Sequence, residues 1–185
     1  MNMDDLSRQY YTDIKSGDAD KRYEGYSYLI KETQEPVTWA YEVWDELISL
    51  SSGGDNHERS IAGQLLVNLA KSDPERRIVR DIDKIMAVTK DERFVTARHV
   101  LQSVWKIGVI DKELQALVEQ KLSTRYEEAA NEKNRTLIRF DIIENYRKMF
   151  DQFRDPLVKE KALALIAKEP DERYQRKFMG VWKHS

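Results

Sequence analysis

"DERFVTARHVLQSVWKIG", Asp91 to Gly108, is the stretch whose reading decides the fold. Phe94, Ala97, Leu101, Val104 and Trp105 fall at i, i+3, i+7, i+10 and i+11, which makes one apolar stripe along a helix. A shorter version, "DERYQRKFMGVWK", returns at Asp171 to Lys183, again opening on Asp-Glu-Arg and again reaching a Trp about a dozen residues later. The echo invites a search for a period. Arg22, Arg59, Arg93, Arg135 and Arg173 stand near the starts of helix-like segments, spaced by 37, 34, 42 and 38 residues. A period of that length is the mark of a helical repeat, in which two helices cannot bury their apolar faces alone and successive pairs stack.

Outward from this stretch, the helical period persists. Ile78, Ile82, Ile85 and Met86 make one stripe, as do Leu114, Leu117, Val118 and Leu122. Ile138, Ile142, Tyr146 and Met149 make another, then Val158, Ala162, Leu165 and Ile166, and earlier Val37, Ala40, Trp44 and Leu47. No strand-like run bounded by hairpin turn chemistry occurs, so the sequence predicts an all-α chain. Pro36, Pro74 and Pro156, each preceded by an acidic residue, read as first-turn prolines that open the second helix of a pair, and Pro170 closes a helix. Acidic clusters at Asp18, Asp55, Asp91 and Asp171 place negative charge at the positive ends of the first helices.

The expected organisation is a single domain over residues 1–185. It comprises an N-terminal helix at 1–16, repeats at about 18–53, 54–90, 91–130 and 131–169, and a terminal capping helix at 171–185. The longest spacing falls where "YEEAANEKN", Tyr126 to Asn134, is inserted or extends a helix. The terminal helix carries Tyr174, Phe178, Val181 and Trp182 on one face, for which Ala162, Leu165 and Ile166 are the simplest cover; a monomer is expected.

Composition excludes several classes. The chain has no Cys, so there is no disulfide framework and no thiolate metal site. No run of 18 consecutive apolar residues and no leader-like start occurs, and the expected setting is the cytoplasm, away from membranes. The net charge of −2 conceals an asymmetry, with 13 acidic and 5 basic side chains in residues 1–58 and a balance of +6 beyond them. That balance, spread over 127 residues, is far from the basic footprint of a nucleic-acid domain.

No residue pattern encodes chemistry. "DER" reads as a helix cap with an ion pair rather than an acid/base pair. His57, His99 and His184 are isolated, without a second His at i+3 or i+4, so no metal site is expected. Gly53-Gly54 is a linker rather than a phosphate cradle, no Ser has a nucleophile-elbow context, and no cofactor is expected.

In "DNHERSIAGQLLVNLAKSDPE", Asp55 to Glu75, and in the opening stretch, an Asp, an Arg two to four residues on, and small and aliphatic residues follow one another. These segments resemble the HEAT and armadillo-type families of α-helical repeats, over roughly residues 18–185. The resemblance implies an α-α superhelix whose Asp and Arg form a polar ladder between repeats, which would make Asp55, Arg59, Asp91 and Arg93 structural. Tyr23 and Gly25 in the first repeat, and Asp141 in the fourth, depart from the small or apolar pattern.

The resemblance also implies that second helices line a concave face. There, Trp39, Val43 and Leu50 form an apolar face beside the core stripe; packing under Leu6, Tyr10 and Ile14 of the N-terminal helix is the plain explanation, and a partner groove the other. Arg77, Arg80 and Lys84 in the second repeat, with Lys159, Lys161 and Lys168 in the fourth, would make the face basic at its other end. Trp39, Val43, Arg77, Arg80, Lys84 and Lys161 are therefore the candidate partner-binding residues. The leading function is a non-enzymatic module that binds a protein or peptide along this face. The alternative is nucleic-acid binding, as in the DNA alkylation repair glycosylases, which are built of similar repeats; Glu46, Lys84 and Gln120 do not make the continuous basic stripe it needs. A lyase of repeat type acting on a small molecule has no motif behind it.

Overall fold

The computed structural model describes residues 2–183; His184 lies outside them. Among the described residues the chain is all-helical, with eleven α-helices and no strand. It divides into two compact units, residues 1–100 and 101–185.

In the N-terminal unit, α1 (Asp5–Asp13), α2 (Ala19–Glu32), α3 (Ala40–Gly53), α4 (Asn56–Leu69), α5 (Arg77–Val88) and α6 (Phe94–Leu101) follow one another, the last residue of α6, Leu101, already belonging to the C-terminal unit. The acidic caps act as the sequence predicts: Asp18 accepts from the Asp20 and Lys21 N–H groups, and Asp55 forms a reciprocal capping box with Glu58. Asp4 caps α1 in the same way, accepting from the Ser7 N–H at 2.8 Å. Ile78, Ile82, Ile85 and Met86 are buried, as are Trp44 and Leu47 of α3 and Leu65 and Leu66 of α4.

Two of the three proline readings need correction. Only Pro156 stands at a helix start, with Asp155 accepting from the Leu157 N–H. Pro74 sits in a turn closed by the Arg76 N–H on the Asp73 carbonyl, and α5 begins after it, from a left-handed Arg76 (φ 57°). The turn persists because the Asp73 carboxylate takes the Ile78 N–H at 2.7 Å and the Tyr41 hydroxyl at 2.5 Å. Pro36 precedes α3 by four residues, in a connection held by the Val37 N–H on the Ser72 hydroxyl.

The face of α1 also differs from its apolar reading. Leu6 is 55% exposed, and the buried residues are Met3, Ser7, Tyr11 and Ile14. Polar partners reverse the simple rule: the Ser7 hydroxyl meets Glu32 of α2, the Tyr11 hydroxyl donates to Glu46 of α3 at 2.9 Å, and the Met3 N–H donates to Glu42 at 2.7 Å. Gly25 is the residue that lets α1 approach α2, since a Cβ there would stand 2.6 Å from the Tyr10 carbonyl oxygen.

The C-terminal unit holds α7 (Trp105–Gly108), α8 (Lys112–Glu128), α9 (Arg135–Phe153), α10 (Pro156–Ala167) and α11 (Glu172–Met179). The stripe of the opening stretch is buried at Leu101 and Val104, but it is not one helix: α6 ends at Leu101 and α7 starts at Trp105. Asn145 of α9, itself buried, holds the break, giving its amide to the Leu101 carbonyl (2.9 Å) and accepting from the Trp105 N–H (2.7 Å). The segment from Tyr126 extends α8 to Glu128 and then tightens into a 3₁₀ turn at Ala129–Asn131. Phe178 and Trp182 are buried against aromatic partners on α9, Phe140 at 6.1 Å and Phe150 at 5.5 Å between ring centres.

Many of the hydrogen bonds that tie helices together join residues close to one period apart. Tyr26 and Gln64 are separated by 38 positions, Trp44 and Asp81 by 37, Asn56 and Thr96 by 40, and Glu119 and Lys161 by 42.

Candidate binding surfaces

The first candidate surface is built on α3 and α5. Of the residues expected to face a partner, Trp39 and Val43 are instead buried in the N-terminal unit, and the Trp39 indole N–H lies 3.3 Å from Glu32. Packing therefore accounts for them; of the α1 face read off the sequence, Ile14 is buried and Leu6 is exposed, and the N-terminal segment reaches α3 through the Tyr11 hydroxyl on Glu46. The α5 cations are accessible: the side chains of Arg80 and Lys84 are 65% and 50% exposed.

These cations are not free charges. Asp81, one residue on from Arg80, is fully buried and collects Arg80 at 2.6 Å, Lys84 at 3.0 Å and the Trp44 indole N–H at 3.1 Å. Burial works to raise the Asp81 carboxyl, but these three donors outweigh it and bring it down to about 2. Arg77 lies over the Tyr41 ring at 4.0 Å and pairs with Glu75 at 3.0 Å, with Asp45 3.9 Å away. The row is thus a mosaic of paired charges with an aromatic ring at its Arg77 end.

The C-terminal unit repeats the device. Glu119 of α8 is buried and is held by Lys161 of α10 and by the Gln115 amide at 2.8 Å. Lys161, expected at a partner surface, is half exposed and engaged in this pair. Deeper in that unit, the buried Arg139 donates to Glu169 at 2.7 Å and stacks over the Tyr126 ring at 4.4 Å, an ionic core that no pattern in the sequence announces.

Of the four ladder residues, Arg59 and Asp91 meet in a two-pronged pair at 2.5 and 3.1 Å, with a further Arg59 N–H on the Gly54 carbonyl. The Arg59 guanidinium holds the Asp91 carboxyl below its usual value. Asp55 caps its own helix, and Arg93 is exposed with its backbone N–H on Asp91. A recess of about 410 Å³ beside the pair is lined by Ser51, Ser52, Val88 and Glu92 among others.

A second recess, of about 250 Å³, opens between α2, α4 and α6, where Arg22, Tyr23, His57 and His99 come together. The sequence treats the two histidines as isolated; they converge only because α4 and α6 are neighbours, which the spacing of 42 positions conceals.

Among the described residues no cluster of three or more metal-ligating side chains occurs, and no helix is long and apolar enough to cross a membrane. The class these features define is an all-α protein with charge-paired helix surfaces. Comparison with protein-family models, with curated proteins and with solved structures finds no match for this chain.

Proposed function

We propose that the chain is a cytoplasmic, monomeric interaction module of the HEAT/armadillo type, a superhelical stack of helical pairs that binds a protein or peptide partner along the surface of its second helices. The stacking is supported by polar links between residues close to one period apart, as in Tyr26 with Gln64 and Trp44 with Asp81. The single observation that carries the binding reading is the α5 row. Arg77, Arg80 and Lys84 each stand beside a carboxylate, with Arg80 and Lys84 at least half exposed and the less exposed Arg77 lying over the Tyr41 ring. Such a mosaic offers donors, acceptors and an aromatic contact in alternation, which suits a peptide of mixed charge. A nucleic-acid backbone demands a continuous excess of positive charge instead, and Asp45, Glu75 and Asp81 remove it here.

Selection of binders from a displayed random-peptide library, followed by hydrogen-exchange mapping, tests the reading. Protection over α3 and α5, abolished by combined Arg80→Glu and Lys84→Glu substitutions, is the expected outcome. Selected peptides that leave α3 and α5 unprotected, or salt-resistant retention of duplex DNA on a column, would refute it.

A further inference from the structure

We propose that the recess between α2, α4 and α6 of the N-terminal unit is a second binding site, one that takes the carboxylate side chains of an acidic peptide. It shares no residue with the α5 row, so its fate is independent of the function proposed above.

The argument begins with charge. Arg22, His57 and His99 line the recess, and none of its lining residues is an acid. Asp55, which feels both Arg22 and His57, is committed to capping α4, where it accepts the His57 and Glu58 N–H groups at 2.8 and 2.9 Å. The neutral polar groups of the recess satisfy one another. The Tyr26 hydroxyl donates to Gln64 at 2.9 Å, the Gln64 amide donates back to the Ser60 carbonyl at 3.1 Å, and the Ser60 hydroxyl lies 3.4 Å from His99 Nδ1. This chain fixes the His99 ring from behind and leaves Nε2 as the nitrogen available to a ligand. Arg22 is anchored through Nη1 on the Ser16 carbonyl at 2.7 Å, which orients the guanidinium while its remaining N–H groups stay in reserve.

Shape narrows the class further. The volume of about 250 Å³ suits one or two side chains rather than a nucleotide strand. The Tyr23 ring, 69% exposed, supplies an apolar wall against which the methylene stem of a glutamate can lie. The excess of negative charge in residues 1–58 opposes a polyanion approaching from solution, whereas single carboxylates need only the local field.

Titration of labelled protein with a capped Ala-rich peptide carrying two Glu residues, followed through the ring resonances of His57 and His99, is the test. Saturating shifts confined to the recess are expected, with no response to the same peptide carrying Gln in place of Glu. Combined Arg22→Gln and His99→Gln substitutions should weaken binding by about tenfold or more while leaving the circular dichroism unchanged. Should that pair fail to fold, His57→Gln alone must still weaken binding several-fold. Equal response to the Gln peptide, shifts scattered over surface lysines, shifts at α5 alone, or saturation of the same rings by inorganic phosphate as tightly as by the peptide would each overturn the proposal.

Discussion

Replacing Asn145 by Ala should cost about 2–6 kcal/mol, because Asn145 is the residue that closes the gap between α6 and α7. Its side chain makes three hydrogen bonds: from Nδ2 to the Leu101 and Asp141 carbonyls at 2.9 and 2.8 Å, and from the Trp105 N–H to Oδ1 at 2.7 Å. The losses are unequal. Leu101 O keeps the Val104 N–H at 3.3 Å, so that acceptor is not orphaned. The Trp105 N–H has no such reserve, since a helix start leaves its first N–H groups without intrahelical partners. One orphaned donor costs about 1–3 kcal/mol, and each neutral bond removed from a surviving partner adds about 0.5–1.5 kcal/mol. Urea melts followed by circular dichroism give the difference directly, and an unchanged m-value would show that the native state alone is affected. Asn145→Asp sharpens the test: it keeps the acceptor for Trp105 but turns a carboxylate toward the Leu101 carbonyl, so at neutral pH it should be at least as damaging as Ala. A loss below about 0.5 kcal/mol for Asn145→Ala, within the range of ordinary surface substitutions, would refute the view that this side chain holds the break.

Gly25→Ala sets a helix-propensity gain of about 1 kcal/mol against overpacking of about 1–3 kcal/mol. The obstructing atom is the Tyr10 carbonyl oxygen at 2.6 Å, a backbone atom that moves only with α1, so a net loss of up to about 2 kcal/mol is expected in denaturant melts, and a stabilised variant would contradict it. Asp81 ionises at about 2 in the folded chain against an ordinary value of 3.8, so its contribution is present above about pH 4 and is lost as pH falls toward 2. That contribution is on the order of 2 kcal/mol, and Asp81→Asn should flatten this part of the acid-unfolding curve while leaving an oxygen for the Trp44 indole; an unchanged curve would show that the carboxylate does not feel its three donors. Deleting residues 171–185 should uncover Phe140 and Phe150 and bring aggregation or a large fall in Tm; a soluble truncation melting at the parent temperature would mark the segment as detachable.

The sequence carries the helices and their caps because both depend on neighbours within a few positions. Asp18, Asp55, Asp171 and Pro156 act where their local pattern places them, and the stripes at Ile78–Met86 and Ile138–Met149 are buried. What escapes local reading depends on distant partners. The break after Leu101 is held by a side chain 44 positions away. Ser7 is buried in place of Leu6 because Asp4 and Glu32 both reach its hydroxyl, and no periodicity of apolar residues contains that information. The departures at Gly25 and Asp141 acquire reasons in the same way: the first admits α1, and the second, fully buried, receives the Gln102 amide at 3.1 Å and offers its carbonyl to Asn145. Arg22, His57 and His99 look unrelated until three helices are set side by side.

The two candidate surfaces differ in how their positive charge is used, and this difference separates their partners. On α5 the carboxylate lies beneath its cations: Asp81 is inside, Arg80 and Lys84 lie over it, and a ligand meets guanidinium and ammonium groups whose charge is already answered from below. An incoming anion must compete with a buried acid that ionises at about 2 and cannot leave, so affinity there has to come from matched donors and acceptors and from contact with Tyr41. In the α2–α4–α6 recess no acid lines the wall, and the neutral groups are bonded to one another, with the Ser60 hydroxyl alone of them also reaching a basic ring, that of His99. A carboxylate entering it displaces no internal partner of His57 or His99 beyond the Ser60 contact at Nδ1. Mixed-charge peptides are therefore matched to the first surface and acidic side chains to the second, and one extended partner could carry both kinds of residue.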